Sequence, residues 1–248
     1  MKLPAIRGVI DRRILVNYRV DADALAAVLP EPFRPKLVGE VGIGGICLIR
    51  LKHVRPTFVP VRAGLTSENA AHRIAVEWDQ GGVRREGVYV PRRDTSSRLN
   101  VLAGRRLFPS AQHPASFEVD ERDGRYAVTL QSDNGCARLH VVARATDHIP
   151  ERSVFASLAE ASAFFEAGSL GYSETAEAGR YDGLELRCRN WDVEPLDVSE
   201  VESNYFDDPE RFPPGSVAFD CALLMRGIEH EWHGRAPLCA CEGGATAA

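Results

Sequence analysis

The chain has 248 residues, 44% hydrophobic and 26% charged, an ordinary globular composition with enough apolar material for one large domain or two small ones. Its formal net charge of −5 lacks the basic footprint of a nucleic-acid binder, and no apolar run reaches the roughly 18 residues needed to span a bilayer. Small molecules and further copies of the same chain are the partners to expect.

In chain order, residues 12–19 read as a strand. Asp21 stands where an N-cap belongs, with Asp23 in the first turn, and predicts a short helix to Leu29 that Pro30 and Pro32 end. Residues 44–51, short and apolar, read as a buried strand, and Pro56 and Pro60 bracket a loop. Residues 71–79 and 85–91, joined by Gly81-Gly82, predict a hairpin. Asp94-Thr95-Ser96-Ser97 is rich in helix-starting residues and precedes Leu99, Val101 and Leu102, with Gly104 placed to close the helix.

Residues 115–120 and 125–132 flank Arg122-Asp123-Gly124, a second hairpin, and 136–146 read as the next strand. Residues 157–167 pattern as an amphipathic helix, with Ser157 and Glu160 at the spacing of a capping box. Residues 184–194 and 217–226 are the last strands, and 239–248 reads as a frayed tail after one domain over 1–238. Many strands, few short helices, no βαβ alternation and no repeat predict a single α+β domain on a mostly antiparallel sheet or barrel.

The first eight residues are interrupted by Pro4 and Arg7 and do not read as a secretory signal. Six scattered cysteines, most of them in apolar strand-like stretches, suit reduced thiols in a cytoplasmic protein better than a disulfide framework.

Three segments share a pattern with a known group of proteins. Tyr18-Arg19 leads into the capped helix and a Pro30-Glu31-Pro32 turn; Ser67-Glu68-Asn69 precedes a strand; Asp94 through Pro109 forms a helix with a trailing glycine-arginine and an aromatic-proline. In this order they resemble the acetoacetate decarboxylase-like superfamily. Phe212-Pro213-Pro214-Gly215 and Glu229-His230-Glu231-Trp232-His233 are similar to an uncharacterised branch of it. The resemblance implies a cone-like β-barrel with short peripheral helices, a largely apolar cavity and no cofactor. In the decarboxylase a cavity lysine attacks a β-keto acid, a second lysine lowers its pKa, and a glutamate and an arginine orient the substrate. By residue, the glutamate falls on Glu68, the arginine next to Asp11 and Arg12, and the lysine pair on Ser110 and Ala111.

Imine chemistry needs an amine that can lose its proton, and arginine stays protonated in proteins. The lysines of the chain are Lys2, Lys36 and Lys52, none at the expected place. The resemblance therefore implies a small carboxylate or carbonyl compound bound in the cavity, and turnover, if any, that is lyase-like but lysine-independent. Glu68 is the candidate catalytic residue, as substrate-orienting carboxylate or general base, against a plain loop glutamate. Arg12 and Ser110 are candidate substrate contacts, Ser110 as a small residue that opens the cavity. Arg92, Arg93 and Arg98 flank the expected helix start and suggest an anion site, against a solvated turn in which Asp94 neutralises one of them.

Two alternatives stay open: an imine-forming decarboxylase or aldolase-type lyase using Lys52, and a non-catalytic ligand sensor or scaffold. Homo-oligomerisation is compatible with either. His230 and His233 near Cys239 and Cys241 lack the spacing of a zinc site, so no metal is expected.

Overall fold

The computed structural model describes residues 5–59, 64–103 and 111–240. The chain opens with a long strand, β1 (Ile6–Asp21), and turns through α1 (Ala22–Ala27). Asp21 caps this helix by accepting from the backbone N–H groups of Asp23 and Ala24, which leaves fewer orphan donors at its start. Two short strands, β2 (Arg34–Pro35) and β3 (Leu37–Val38), lead to β4 (Val41–Pro56) and β5 (Leu65–Gln80). Gly81 and Gly82, both at positive φ, turn β5 into β6 (Val83–Thr95).

The six-residue α2 (Arg98–Ala103) precedes β7 (Gln112–Arg122) and β8 (Arg125–Ser132). The latter two are joined by Asp123 and Gly124, again both at positive φ. β9 (Arg138–Ala145) comes next, followed by α3 (Leu158–Ala167). Here Ser157 accepts from the Glu160 N–H at 3.2 Å, and the Glu160 carboxylate reaches back to the Ala156 N–H at 2.8 Å. β10 (Leu170–Glu174), β11 (Arg180–Cys188), β12 (Glu194–Ser203) and β13 (Val217–Cys239) complete the fold.

The thirteen strands of the described residues belong to one sheet. Followed through its pairings, β6-β7-β8-β9-β12-β13-β1-β4-β5 returns to β6, so the sheet closes into a ring. β10 and β11 bridge β6 to β13 beside it. Pairing is antiparallel except for β6–β7 and β6–β10. Strands from different sides of the ring meet in one apolar cluster, in which Ile14, Val16 and Leu48 pack with Val128, Leu130 and Val141. The opposite face of β1, β4 and β13 is covered by α3 and the segment before it, through Phe155, Ala161 and Phe165. A sheet buried on both faces explains why β4 reads as an unbroken apolar run instead of an alternating one.

Several expectations shift. The strand expected at 184–194 ends at Cys188, and a new one begins at Glu194. β10 carried no sequence signal. Asp94, Thr95 and Glu68 lie inside strands, not in a helix start or a loop. Gly104 and Ser110 lie outside the described residues, as does the tail beyond Ala240.

Close approach of β1 and β4 depends on Gly45, where a Cβ would stand 2.4 Å from the Val16 carbonyl oxygen. Gly45→Ala must push two paired backbones apart. The expected outcome is a loss of about 3 kcal/mol in urea-unfolding stability, whereas Gly39→Ala, at an open turn, loses about 1 kcal/mol.

Candidate functional site

Antiparallel pairing puts Arg226, Arg12, Arg50 and Glu68 side by side across β13, β1, β4 and β5. Paired residues share a face of the sheet, so three guanidiniums and one carboxylate form a row. Arg12 is buried, with 1% of its side chain exposed. Its Nη2 donates to Glu68 at 2.6 Å and its Nη1 to Glu121 of β7 at 2.6 Å. Arg50 donates through Nε to the other Glu68 oxygen at 2.5 Å and lies 2.9 Å from the same Glu121 oxygen that Arg12 holds. Arg226 donates to the Tyr126 hydroxyl at 2.6 Å. Asp11 stands 3.5 Å from Arg50 and 2.8 Å from Lys52.

Burying a guanidinium costs several kcal/mol unless paired charges and hydrogen bonds offset it. Arg12 is offset on two sides by carboxylates that β5 and β7 bring in from far along the chain. Burial opposes the charge on Arg50, but Glu68, Glu121 and Asp11 together raise its pKa. The Asp11 carboxyl is lowered: burial works against its charge, and Lys52 and Arg50 outweigh burial.

The backbone of Glu68 is held on both sides by Ser96. Ser96 Oγ accepts from the Glu68 N–H at 3.0 Å, and the Ser96 N–H donates to the Glu68 carbonyl at 2.9 Å. Thr95 bonds Asn69 at 2.8 Å. The hydroxyl-rich segment expected to start a helix thus ties β6 to β5 at Glu68, and the helix begins only at Arg98, where Ser97 Oγ accepts from the Asn100 N–H. Ser and Thr hydroxyls satisfy backbone donors in either setting, which is why local sequence does not tell the two apart.

Four residues along β5 from Glu68, His72 is 1% exposed, and among the described residues neither ring nitrogen has a hydrogen-bond partner. Its ring lies 4.6 Å from that of Tyr205, which also carries the Arg211 guanidinium at 4.1 Å. Burial, aided by Arg92 and Arg211, pushes the His72 pKa down to about 3. Arg92, its cross-strand neighbour, is engaged by Asp94 at 2.7 Å and by Asn134 at 3.0 Å. Burial raises the Asp94 pKa in spite of that pairing. Arg93, the next strand residue, points to the opposite face and, among the described residues, hydrogen-bonds only the Ser173 hydroxyl, at 3.5 Å. Arg98 is exposed at the start of α2.

Of the residues singled out from sequence, Arg12 and Glu68 are therefore brought together, while Arg92, Arg93 and Arg98 do not converge. Arg50 and Glu121 were missed. Arg50 falls on the same face of β4 as Ile46 and Leu48, a charge in line with core positions and a signal that was available; Glu121 sits in a charged hairpin, where nothing local distinguishes it.

Lys52 has 43% of its side chain exposed and its ammonium on Asp11; Lys36 pairs with Glu86 at 2.7 Å and lies over the Phe164 ring. Among the described residues no group of three or more metal-ligating side chains converges, and no helix is long and apolar enough to cross a membrane.

Solved structures define the class to which this fold belongs. Acetoacetate decarboxylase from Legionella pneumophila superposes with a TM-score of 0.61 at 11% identity, over 94% of this chain and 87% of that one. The enduracididine biosynthesis enzyme MppR complexed with pyruvate gives 0.58 at 13%, over 95% and 90%. An acetoacetate decarboxylase-like enzyme from Sphingomonas wittichii RW1 gives 0.55 at 11%, over 96% and 92%. The fold is the acetoacetate decarboxylase-like one. Within it, residues 10–219 match the family model DUF2071, described as an uncharacterized conserved protein, and the chain belongs to that family. No curated protein matches the chain in sequence.

Removing one partner of the buried pair leaves a charge without its complement. Glu68→Met is expected to cost about 3 kcal/mol, and Arg12→Met with Glu68→Met less than the two single losses added, with a coupling of about 1–3 kcal/mol in a double-mutant cycle read by urea unfolding.

His72 generates a pH prediction. Its folded pKa is about 3 against 6.5 for the free side chain. Below pH 6.5 the unfolded chain takes up a proton that the folded chain refuses, so stability falls as pH drops from 6.5 toward 3, by about 1.4 kcal/mol per pH unit. Asp94, with its raised pKa, acts in the opposite sense, its contribution being lost as pH rises from about 4. His72→Phe, which keeps a ring against Tyr205, should flatten the wild-type slope between pH 6.5 and 5 by about one proton's worth in denaturant titrations.

Proposed function

We propose that this protein binds a small carboxylate or carbonyl compound inside the ring of strands, which we read as the cone-like barrel of its structural relatives, at the row formed by Arg12, Arg50 and Glu68. The observation that carries this reading is the seat of Glu121. Two guanidiniums, on β1 and β4, converge on one oxygen of a carboxylate that belongs to a third strand and is 27% exposed. Forked guanidinium donors recognise carboxylates through paired charge-assisted hydrogen bonds. A ligand carboxylate arriving in place of Glu121 finds both donors already oriented. The solved relative complexed with pyruvate, a keto carboxylate, supports the same ligand class.

In this reading Glu68 is a positioning carboxylate. Its two oxygens are engaged by Arg12 and Arg50, so it aims the guanidiniums and is not free to abstract a proton unless one of them swings away. Arg92, Arg93 and Arg98 take no part, since Arg92 is engaged by Asp94 and the others face elsewhere. Ser110 keeps its place as a substrate contact only by resemblance. Turnover, where it occurs, proceeds without an imine. The Lys52 alternative is disfavoured by its half-exposed, ion-paired ammonium, because an imine-forming lysine is desolvated or set beside another cation.

Borohydride trapping in the presence of pyruvate or acetoacetate is expected to leave the intact mass unchanged; an adduct on any lysine overturns the lysine-independent reading. Pyruvate is expected to raise the thermal midpoint of the wild type. Arg50→Gln should weaken that binding about tenfold or more, since it removes charge-assisted bonds, and Glu121→Gln should strengthen it. Unchanged binding in Arg50→Gln places the ligand elsewhere.

A further inference from the structure

A second charged constellation lies where β4, β1, β13 and β11 run side by side, sharing three strands with the Arg12–Glu68 row but none of its residues. Register sets Arg55 opposite Arg7, Arg7 opposite Glu231, and Glu231 opposite Arg187. These side chains, with Arg189 and Glu229, line a cavity of about 530 Å³. That volume falls within the range of small-molecule sites.

The charges do not balance. Four arginines face two glutamates, and both glutamates are engaged: Glu229 with Arg189 at 3.0 Å, Glu231 with His233 at 2.8 Å. Arg187 is engaged by Glu185 at 2.5 Å, outside the cavity lining. Arg7 and Arg55 have no carboxylate within ion-pair distance among the described residues. Arg7 donates to the Val59 carbonyl at 3.2 Å, and Arg55 to that same oxygen at 3.3 Å and to the His53 carbonyl at 2.8 Å. The Nε of Arg7 is buried and has no acceptor among the described residues. Two like charges directly opposite one another destabilise a strand pair, and a buried donor without a partner adds to the cost. Beside them His53, on the cavity wall, holds a left-handed φ of 56°, a conformation that costs energy in a residue other than glycine.

A bound anion resolves the first two features together. We propose that this cavity is a binding site for a phosphate monoester whose body carries hydroxyl groups. The adjacent Arg7 and Arg55 guanidiniums match a dianion, where a single carboxylate leaves one of them without a complement. Across the row, the carboxylates of Glu229 and Glu231 offer acceptors to hydroxyl donors on the rest of the ligand. Neither feature bears on the pyruvate-type site, so the two proposals stand or fall separately.

The test is calorimetric titration of the full chain with glucose 6-phosphate at fixed ionic strength, with glucose as the uncharged control. Glucose 6-phosphate is expected to bind and glucose not. The double variant Arg7→Gln, Arg55→Gln should weaken binding about tenfold or more. Arg84→Gln, at the far end of the β5–β6 hairpin, should leave it unchanged. If the double variant does not fold, Arg55→Gln carries the same expectation, since among the described residues Arg55 bonds two carbonyls and no carboxylate. The proposal is overturned if glucose 6-phosphate gives no heat at millimolar concentration, if glucose binds as well, if the arginine variant that folds binds as the wild type does, or if Arg84→Gln weakens binding equally.

Discussion

A guanidinium taken almost wholly out of water organises the centre of this protein. Arg12 sits in the middle of β1, between strands that approach closely enough to exclude solvent. Its charge is tolerable only because Glu68 and Glu121 meet it from β5 and β7. Those carboxylates arrive only if β4 lies between β1 and β5 in the observed register and if the ring brings β7 across from the other side. The ion pairs report on the topology more than they create it; the apolar clusters on the two faces of the sheet supply the driving force, and the charged row requires one register of it.

The same row sets which charged groups this chain presents at its centre. Positive charge there comes from arginine, which cannot lose a proton to become a nucleophile but can hold planar anions in a fixed orientation. The relatives of similar fold are 11–13% identical to this chain, a level at which backbone architecture persists while side-chain chemistry diverges. Arg12 and Arg50 show the kind of recognition involved, since both hold one carboxylate oxygen, that of Glu121, by charge and geometry.

Much of the architecture was legible locally. The caps at Asp21 and Ser157, the turns at Gly81-Gly82 and Asp123-Gly124, and the strands around them follow from short-range rules of backbone donors and positive φ. Failures came where one local pattern serves two settings. Asp94-Thr95-Ser96-Ser97 has the composition of a helix start, yet Ser96 and Thr95 satisfy donors and acceptors on β5 instead. Leu65-Thr66-Ser67-Glu68-Asn69 lacks alternation and reads as a loop, yet long pairing with β4 and β6 draws it into a strand.

Sequence by itself determined that the chain is one mostly-strand α+β unit, and it marked Arg12 and Glu68 as residues to watch. Tertiary structure alone decided that they touch, that Arg50 and Glu121 complete their set, that Lys52 faces Asp11 at a partly exposed position, and that Arg7 and Arg55 stand side by side with no carboxylate on them among the described residues. The division has a physical cause. Caps, turns and alternation depend on neighbours within a few residues, whereas the Arg12–Glu68 and Arg12–Glu121 contacts join positions 56 and 109 residues apart and exist only once the ring has closed.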